Sequence, residues 1–213
     1  MAETVPLFSV PVYVDEIEPL DIQTKNELKN LKFVPSYNGD NLSSTENKNI
    51  LDLPQFKELK NTIQKIVEKY ARDELRIQEQ TQFEIINSWI LKLEKGQNAQ
   101  SHNHNNCIFS GCLYFDVGDD PANIVFVRPQ HLEIFPGIDY RFDDYNIFNS
   151  HTWYFKPYDN MIILFPSHIP HYTEKNTNDY VKLKQAMRLN EYNVSLTHYP
   201  WLPSFQPFKN WDP

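Results

Sequence analysis

Apolar residues change their spacing once along this chain, near residue 80. Ahead of that point, residues 19–32 (PLDIQTKNELKNLK) and 54–76 (PQFKELKNTIQKIVEKYARDELR) place Leu, Ile, Val and Phe three and four apart, with lysines between them. That period predicts two amphipathic helices, the second opened by Pro54 at a first-turn position where the missing N–H is tolerated. Residues 5–14 (VPLFSVPVYV) alternate apolar with other residues around two prolines, which predicts an edge strand. The stretch 35–49, rich in Ser, Asn and Asp, has no period and reads as a loop.

Beyond residue 80, β-branched and aromatic residues fall in short runs separated by Asn, Asp, Gly and Pro. The runs predict strands over 83–93, 108–117, 124–128, 154–158, 161–165, 171–174 and about 187–197. Short antiparallel strands preceded by helices make an α+β domain with a β-sandwich or jelly-roll core. The 213 residues fit a single domain. It divides into an N-terminal strand and helices (about 5–76), a β-rich core (about 80–198) and an irregular tail (199–213). The segment 135–158 has the weakest strand logic and reads as a lid or a partner-binding insert.

Composition narrows the function classes. An apolar fraction of 40% with 14% aromatic residues excludes a disordered chain. Twenty basic against 28 acidic side chains, a net charge of −8, argue against non-specific nucleic-acid binding, which needs a basic face. With 5 Gly in all, neither glycine-rich phosphate-loop pattern occurs. No apolar run approaches the ~18 residues that span a bilayer, and residues 1–14 lack a basic signal region, so a cytoplasmic protein without a membrane partner is expected. Cys107 and Cys112 are expected to be free thiols facing opposite sides of one extended segment. A homodimer is the default for a protein that associates at all.

The residues with the clearest chemistry are His102 and His104, just ahead of the 108–117 strand. In extended chain, residues two apart point the same way, so both imidazoles reach one point at the ~2.0–2.1 Å distance of a nitrogen–metal bond. His171 follows the 161–165 strand and a Pro-Ser-His-Ile-Pro corner, and a jelly roll returns such a position to the same pair of strands. Three ligands with open positions would follow. The competing reading puts His102 and His104 in a polar surface loop (QNAQSHNHNN) and His171 in the core.

Several motif pieces then stand in order: Pro6-Leu7-Phe8 and Pro11-Val12-Tyr13; Ser88-Trp89-Ile90; Lys95-Gly96; His102-x-His104; Ser110-Gly111-x-x-Tyr114-Phe115; Phe165-Pro166-Ser167 and His171. Over about residues 5–195 the chain resembles the 2-oxoglutarate and Fe(II) dependent oxygenase family of bacteria and phages. The resemblance implies a double-stranded β-helix, a jelly-roll and cupin-like core with the N-terminal helices on one face. It implies Fe(II) as metal, 2-oxoglutarate as co-substrate, and hydroxylation of a small-molecule or peptide substrate with release of succinate and CO2. His102, His104 and His171 are then the metal ligands. His104 stands where related oxygenases more often carry Asp or Glu, and Asp116 is the reserve ligand. Tyr114 and Arg188, with Lys184 as its substitute, are expected to hold the distal carboxylate of 2-oxoglutarate.

The remaining residues receive plainer readings. Ser110 and Gly111 serve close strand packing, and Trp89 is a core aromatic. His131, His151, His168 and His198 are surface or structural, with His168 the one expected near substrate. Two alternatives stay open. Gly96, His102 and His104 also fit the opening of the cupin motif, and Pro166, His168, His171 and Asn176 approximate its second half, though the glutamate that cupins place after H-x-H is absent. A non-catalytic jelly-roll binding protein would leave the histidines incidental.

Overall fold

A computed structural model describes residues 4–7, 9–36, 42–133, 137 and 141–177, and the backbone of 182–192. Among them, eleven strands form two sheets in which every ladder is antiparallel. The larger sheet uses β1 (Tyr13–Glu16), β2 (Phe33–Pro35), β3 (Ser43–Thr45), β4 (Gln82–Leu93), β6 (Phe109–Asp116), β9 (Met161–Pro166) and β11 (Lys182–Tyr192), in the order β1-β9-β6-β11-β4-β3-β2. The smaller sheet is β5 (Ala99–His102), β10 (His171–Thr173), β7 (Ile124–Val127) and β8 (Thr152–Phe155), in the order β5-β10-β7-β8.

Both expected helices form. Helix α1 (Ile22–Lys29) is capped by Asp21, whose carboxylate accepts from the Thr24 N–H at 2.8 Å. Helix α2 (Lys57–Lys69) is led by a 3-10 turn, Pro54–Phe56, and continues into a π turn, Tyr70–Glu74. Its four-residue spacing buries Leu59, Ile63 and Val67 on one face. That face packs with Leu28, Phe56 and Tyr70 against Phe83, Ile85, Phe109, Leu113, Phe115, Ile162 and Leu164 of the larger sheet. A second core lies between the sheets: Cys112, Tyr114, Ile163 and Phe165 from the larger, Ile124 and Phe126 from the smaller. The period of two on β6 and β9 sorts residues between the two cores.

Four expectations are corrected. The 35–49 loop contributes β3, which pairs with β2 just ahead of it as Phe33↔Thr45 through Pro35↔Ser43. β2 is hidden by its length of three residues and β3 by its polar composition, and backbone pairing and the Thr45 hydroxyl, which accepts from the Ile90 N–H at 3.1 Å, hold them in place. β5 was not expected, for the same reason. The first strand starts at Tyr13, so Pro6 and Pro11 lie ahead of it. The last strand begins at Lys182 rather than near 187. The 135–158 insert supplies the edge strand β8, and its residues 134–136 and 138–140 lie outside the described residues. So do residues 193–213, including His198 and the tail. Cys107 and Cys112 are both free thiols. No helix among the described residues is long and apolar enough to cross a membrane.

One irregularity shapes the interior. Arg188 pairs with Asn87 and Leu189 with Ile85, which leaves Ile86 unopposed as a bulge in β4. Phe83 and Ile85 before it, and Ser88 and Ile90 after it, then share the helix-side face: Ile90 joins that core, and the Ser88 hydroxyl accepts from the Leu51 N–H at 2.9 Å. Trp89 is turned to the inter-sheet side.

Candidate metal centre

Sheet pairing brings the histidines together. His102 ends β5, His171 opens β10, and the two are direct cross-strand partners. His104 lies two residues past β5, where its N–H donates to the Ser167 carbonyl at 2.9 Å while the Ser167 N–H donates to the Ile108 carbonyl at 2.9 Å. These bonds fasten the 103–108 loop to the corner between β9 and β10. The turn from β4 to β5 is anchored by buried Asn176. Its amide donates to the Leu93 carbonyl at 3.2 Å, and its backbone exchanges bonds with Gly96 and Gln97 at 2.7 and 2.8 Å. Gly96 takes a φ of 84°, which favours glycine there.

One ring nitrogen from each of His102, His104 and His171 lies within 4.8 Å of the others. Ring centroids are 5.1 Å apart for His102 and His104, 4.5 Å for His102 and His171, and 5.0 Å for His104 and His171. Nδ1 of His102 lies 2.7 Å from the Gln100 carbonyl, and Nδ1 of His171 lies 3.0 Å from the Ile169 carbonyl. A carbonyl only accepts, so Nδ1 carries the proton in both rings and the lone pair sits on Nε2. Nδ1 of His104 instead lies 2.6 Å from the Ser110 hydroxyl, which is 2.8 Å from the Ser167 hydroxyl. Bonds of this kind to the far nitrogen orient a metal-ligating imidazole.

His104 and His171 are buried and His102 is half-buried, so the cluster is closed below and open on the β5 side. Trp89 meets His104 edge-on at 6.1 Å, and Phe165 meets His171 edge-on at 4.7 Å. Three neutral nitrogen donors suit a first-row divalent metal. Among the described residues the cluster holds no carboxylate. Asp116, the reserve ligand, is excluded by its position. A second bulge, at Phe115, falls between the Leu183↔Asp116 and Lys184↔Tyr114 pairs, and the Asp116 carboxylate is bound by Lys29 of α1 at 2.6 Å.

Tyr114 is fully buried in the inter-sheet core, and burial holds its phenol well above the ordinary range, so it stays protonated. Thr173 is buried on the same face of β10 as His171, and its hydroxyl has no hydrogen-bond partner among the described residues. An unsatisfied buried hydroxyl costs about 1–3 kcal/mol, which an incoming polar ligand removes. Arg188 stands opposite Ser110 and Asn87 in the ladders, and Lys184 opposite Tyr114 and Leu91. The side chains of both lie outside the described residues.

The role of Ser110 went unread in the sequence, where it counted only as strand packing. Its signal was available: Ser110 is in phase with Tyr114 on β6. Thr173, in phase with His171, carries the same signal. Trp89 touches the site rather than filling the core, and His168 is exposed.

The family described as 2OG-Fe(II) oxygenase matches residues 87–185, a span that contains all three histidines and Tyr114. No curated protein sequence matches the chain. Similar solved structures include an oxidoreductase of the 2OG-Fe(II) oxygenase family from Burkholderia pseudomallei, at 12% identity over 80% of this chain and 78% of that one, with a TM-score of 0.57. HygX from Streptomyces hygroscopicus, solved with nickel and 2-oxoglutarate bound, is 11% identical over 85% of this chain and 83% of its own, with a TM-score of 0.57. A prolyl-4-hydroxylase from Pseudomonas putida is 10% identical over 84% of this chain and 93% of its own, with a TM-score of 0.55. At these identities the likeness is one of fold.

Proposed function

With residues 87–185 matching the 2OG-Fe(II) oxygenase family, we propose that the chain is a non-haem Fe(II) and 2-oxoglutarate dependent dioxygenase, built as one double-stranded β-helix domain, that hydroxylates a small-molecule or peptide substrate. The observation that carries this reading is the convergence of three imidazoles, two of them with Nδ1 proton-bearing against a carbonyl, on one point between the sheets.

The residues present fit the metal and the co-substrate. His102, His104 and His171 would hold Fe(II). The partnerless Thr173 hydroxyl and the protonated Tyr114 phenol would meet the distal carboxylate of 2-oxoglutarate, with Arg188, or Lys184 in its place, supplying the charge. Bound there, the iron supplies the oxidative decarboxylation of 2-oxoglutarate to succinate and CO2 that accompanies oxygen transfer to a substrate.

The chain's own share is positioning and water exclusion. The Ser110–Ser167 pair orients the His104 ring, and the Gln100 and Ile169 carbonyls orient the other two. Phe126 and Phe165 close the apolar wall behind His171, with ring centroids 6.0 and 4.7 Å from it. A water-poor pocket strengthens each hydrogen bond to a bound carboxylate. Three neutral ligands leave the site one charge more positive than a triad with a carboxylate, which favours a doubly anionic co-substrate.

Anaerobic titration of the Fe(II)-loaded protein with 2-oxoglutarate tests this reading. A weak visible charge-transfer band, together with succinate formation on admitting oxygen, is the expected result. A metal-loaded sample with neither would favour the cupin-type reading, a metal enzyme that does not use 2-oxoglutarate, to which the all-histidine ligand set also fits.

A further inference from the structure

Two cross-strand rows of the larger sheet each carry one basic residue of β11. In one, Arg188 stands opposite Ser110 of β6 and Asn87 of β4; in the other, Lys184 stands opposite Tyr114 and Leu91. Ser110 and Tyr114 belong to the inter-sheet side, and residues directly opposite one another in an antiparallel ladder share a face. No register shift falls between Lys184 and Arg188 in the ladder with β6, so both hold the same phase. At ~3.4 Å per residue they stand roughly 14 Å apart along the strand, farther than a five-carbon diacid reaches. A 2-oxoglutarate held by the metal therefore pairs with one of them and not with both.

The course of β10 decides which. His171 packs on Phe165, and Phe165 is opposite Ser110, so β10 begins at the Arg188 row. Farther on, the Asn176 amide donates to the Leu93 carbonyl, and Leu93 is opposite Lys182, so the chain has by then reached the other end of β11. Thr173 lies between, on the Lys184 side of His171, with its hydroxyl buried and without a partner among the described residues. A diacid that leaves the metal toward Thr173 and Tyr114 ends at Lys184. Arg188 stands at the opposite end. The ladder with β6 stops one pair beyond it, at Leu189↔Phe109, which puts its row at the rim of the sandwich. That row contains Ser110, the hydroxyl partner of His104, and so runs beside the histidine cluster. Among the described residues, neither the row nor the cluster holds a carboxylate, and the one acid of β4, Glu84, is exposed and stands opposite Asn190, beyond the rim. A guanidinium at the mouth of a site whose co-substrate is anchored elsewhere offers a planar, two-donor seat for an oxyanion.

We propose that Arg188 is the specificity residue for the substrate, and that the substrate is a small molecule whose carboxylate or phosphate pairs with Arg188 while a neighbouring carbon faces the metal. This rests on the oxygenase reading for the place given to 2-oxoglutarate.

The test uses the full chain and two readouts. In anaerobic titrations of the Fe(II)-loaded chain, Lys184→Ala should raise the 2-oxoglutarate concentration needed for the visible band about ten-fold or more, and Arg188→Ala should leave it near the parent's. The Mn(II)-loaded chain is then probed by ligand-observed NMR, with and without 2-oxoglutarate, using butyrate, butyl phosphate and uncharged butyramide. At least one anion should bind beside 2-oxoglutarate, with its protons relaxed by the metal, and butyramide should not. Arg188→Ala should weaken anion binding about ten-fold or more, and Arg188→Lys should recover part of it, with Mn(II) affinity kept in both. Tighter binding of butyrate assigns a carboxylate substrate, and tighter binding of butyl phosphate a phosphorylated one. Binding of neither anion, displacement of the anion by 2-oxoglutarate, equal binding of butyramide, equal anion binding in Arg188→Ala and the parent, or a loss of 2-oxoglutarate affinity in Arg188→Ala as large as that in Lys184→Ala would each overturn the proposal. If Arg188-dependent anion binding is intact but the Fe(II)-loaded chain gives no 2-oxoglutarate band and no succinate, the oxygenase reading fails and the anion site stands.

Discussion

On β6, Phe109, Leu113 and Phe115 face the helices, while Ser110, Cys112 and Tyr114 face the smaller sheet. The helix-side core is mainly apolar, closed by Leu28, Phe56, Ile63 and Val67, and its Ser88 and Tyr70 hydroxyls bond the backbone. The inter-sheet side mixes Phe126, Ile163 and Phe165 with buried His104, His171, Ser110, Ser167 and Thr173. Burying polar groups is unfavourable unless they find partners. Here His104, Ser110 and Ser167 partner one another and His171 finds the Ile169 carbonyl, while the Thr173 hydroxyl has no partner among the described residues. A strand with a period of two thus gives one face to stability and the other to chemistry, and the two should respond separately to mutation.

Substitution on the chemical face should have the largest consequence. His171→Ala removes one of the three proposed ligands, so metal binding measured by calorimetry should weaken about a thousand-fold or more, ~4 kcal/mol, with succinate formation lost. The same variant should unfold near the parent's midpoint in the metal-free state. Phe56→Ala on the stability face should do the reverse, lowering the unfolding free energy by about 3–5 kcal/mol in urea titrations while the folded protein binds metal as before. A Phe56→Ala chain that stayed fully folded but lost metal affinity would break the separation.

Ser110→Ala sharpens the comparison at a residue that touches no metal. It leaves His104 Nδ1 without its hydroxyl partner, so metal affinity should fall about 10- to 100-fold, and Ser110→Thr should restore part of it. Thr173→Val is smaller and of mixed sign. Replacing a partnerless hydroxyl with a methyl should raise stability by about 1 kcal/mol in thermal melts, and should raise the KM for 2-oxoglutarate several-fold. The smallest effect belongs to alkaline pH. Burial pushes the Tyr70 phenol up to about 12, above its value near 10 in an unfolded chain. The native state then keeps a proton that the unfolded state releases, so this contribution is complete below about pH 10 and is lost as pH rises toward 12. Tyr70→Phe should flatten the decline in stability across that window.

Much of this was legible in the chain itself. The four-residue spacing of Leu59, Ile63 and Val67 specifies α2, and the alternation along β6 and β9 specifies two buried faces. Both are periods of the local backbone, carried wherever the segment goes. The two histidines of H-x-H and the distant His171 were legible too, because few residue types ligate metals. The polar strands β3 and β5 and the three-residue β2 were not, since segments so polar or so short form no strand until a neighbour supplies hydrogen-bond partners.

Only the tertiary structure decided which way particular side chains turn. The bulges at Ile86 and Phe115 slip the register by one residue, and such a slip moves every later side chain to the other face. The first aims Trp89 at His104, and the second separates Asp116 from the histidine cluster and leaves it to Lys29. The Ser110 partner of His104 and the meeting of His102 with His171 arise between strands far apart in sequence. Local propensity is blind to them, because they exist only once the two sheets have closed on each other.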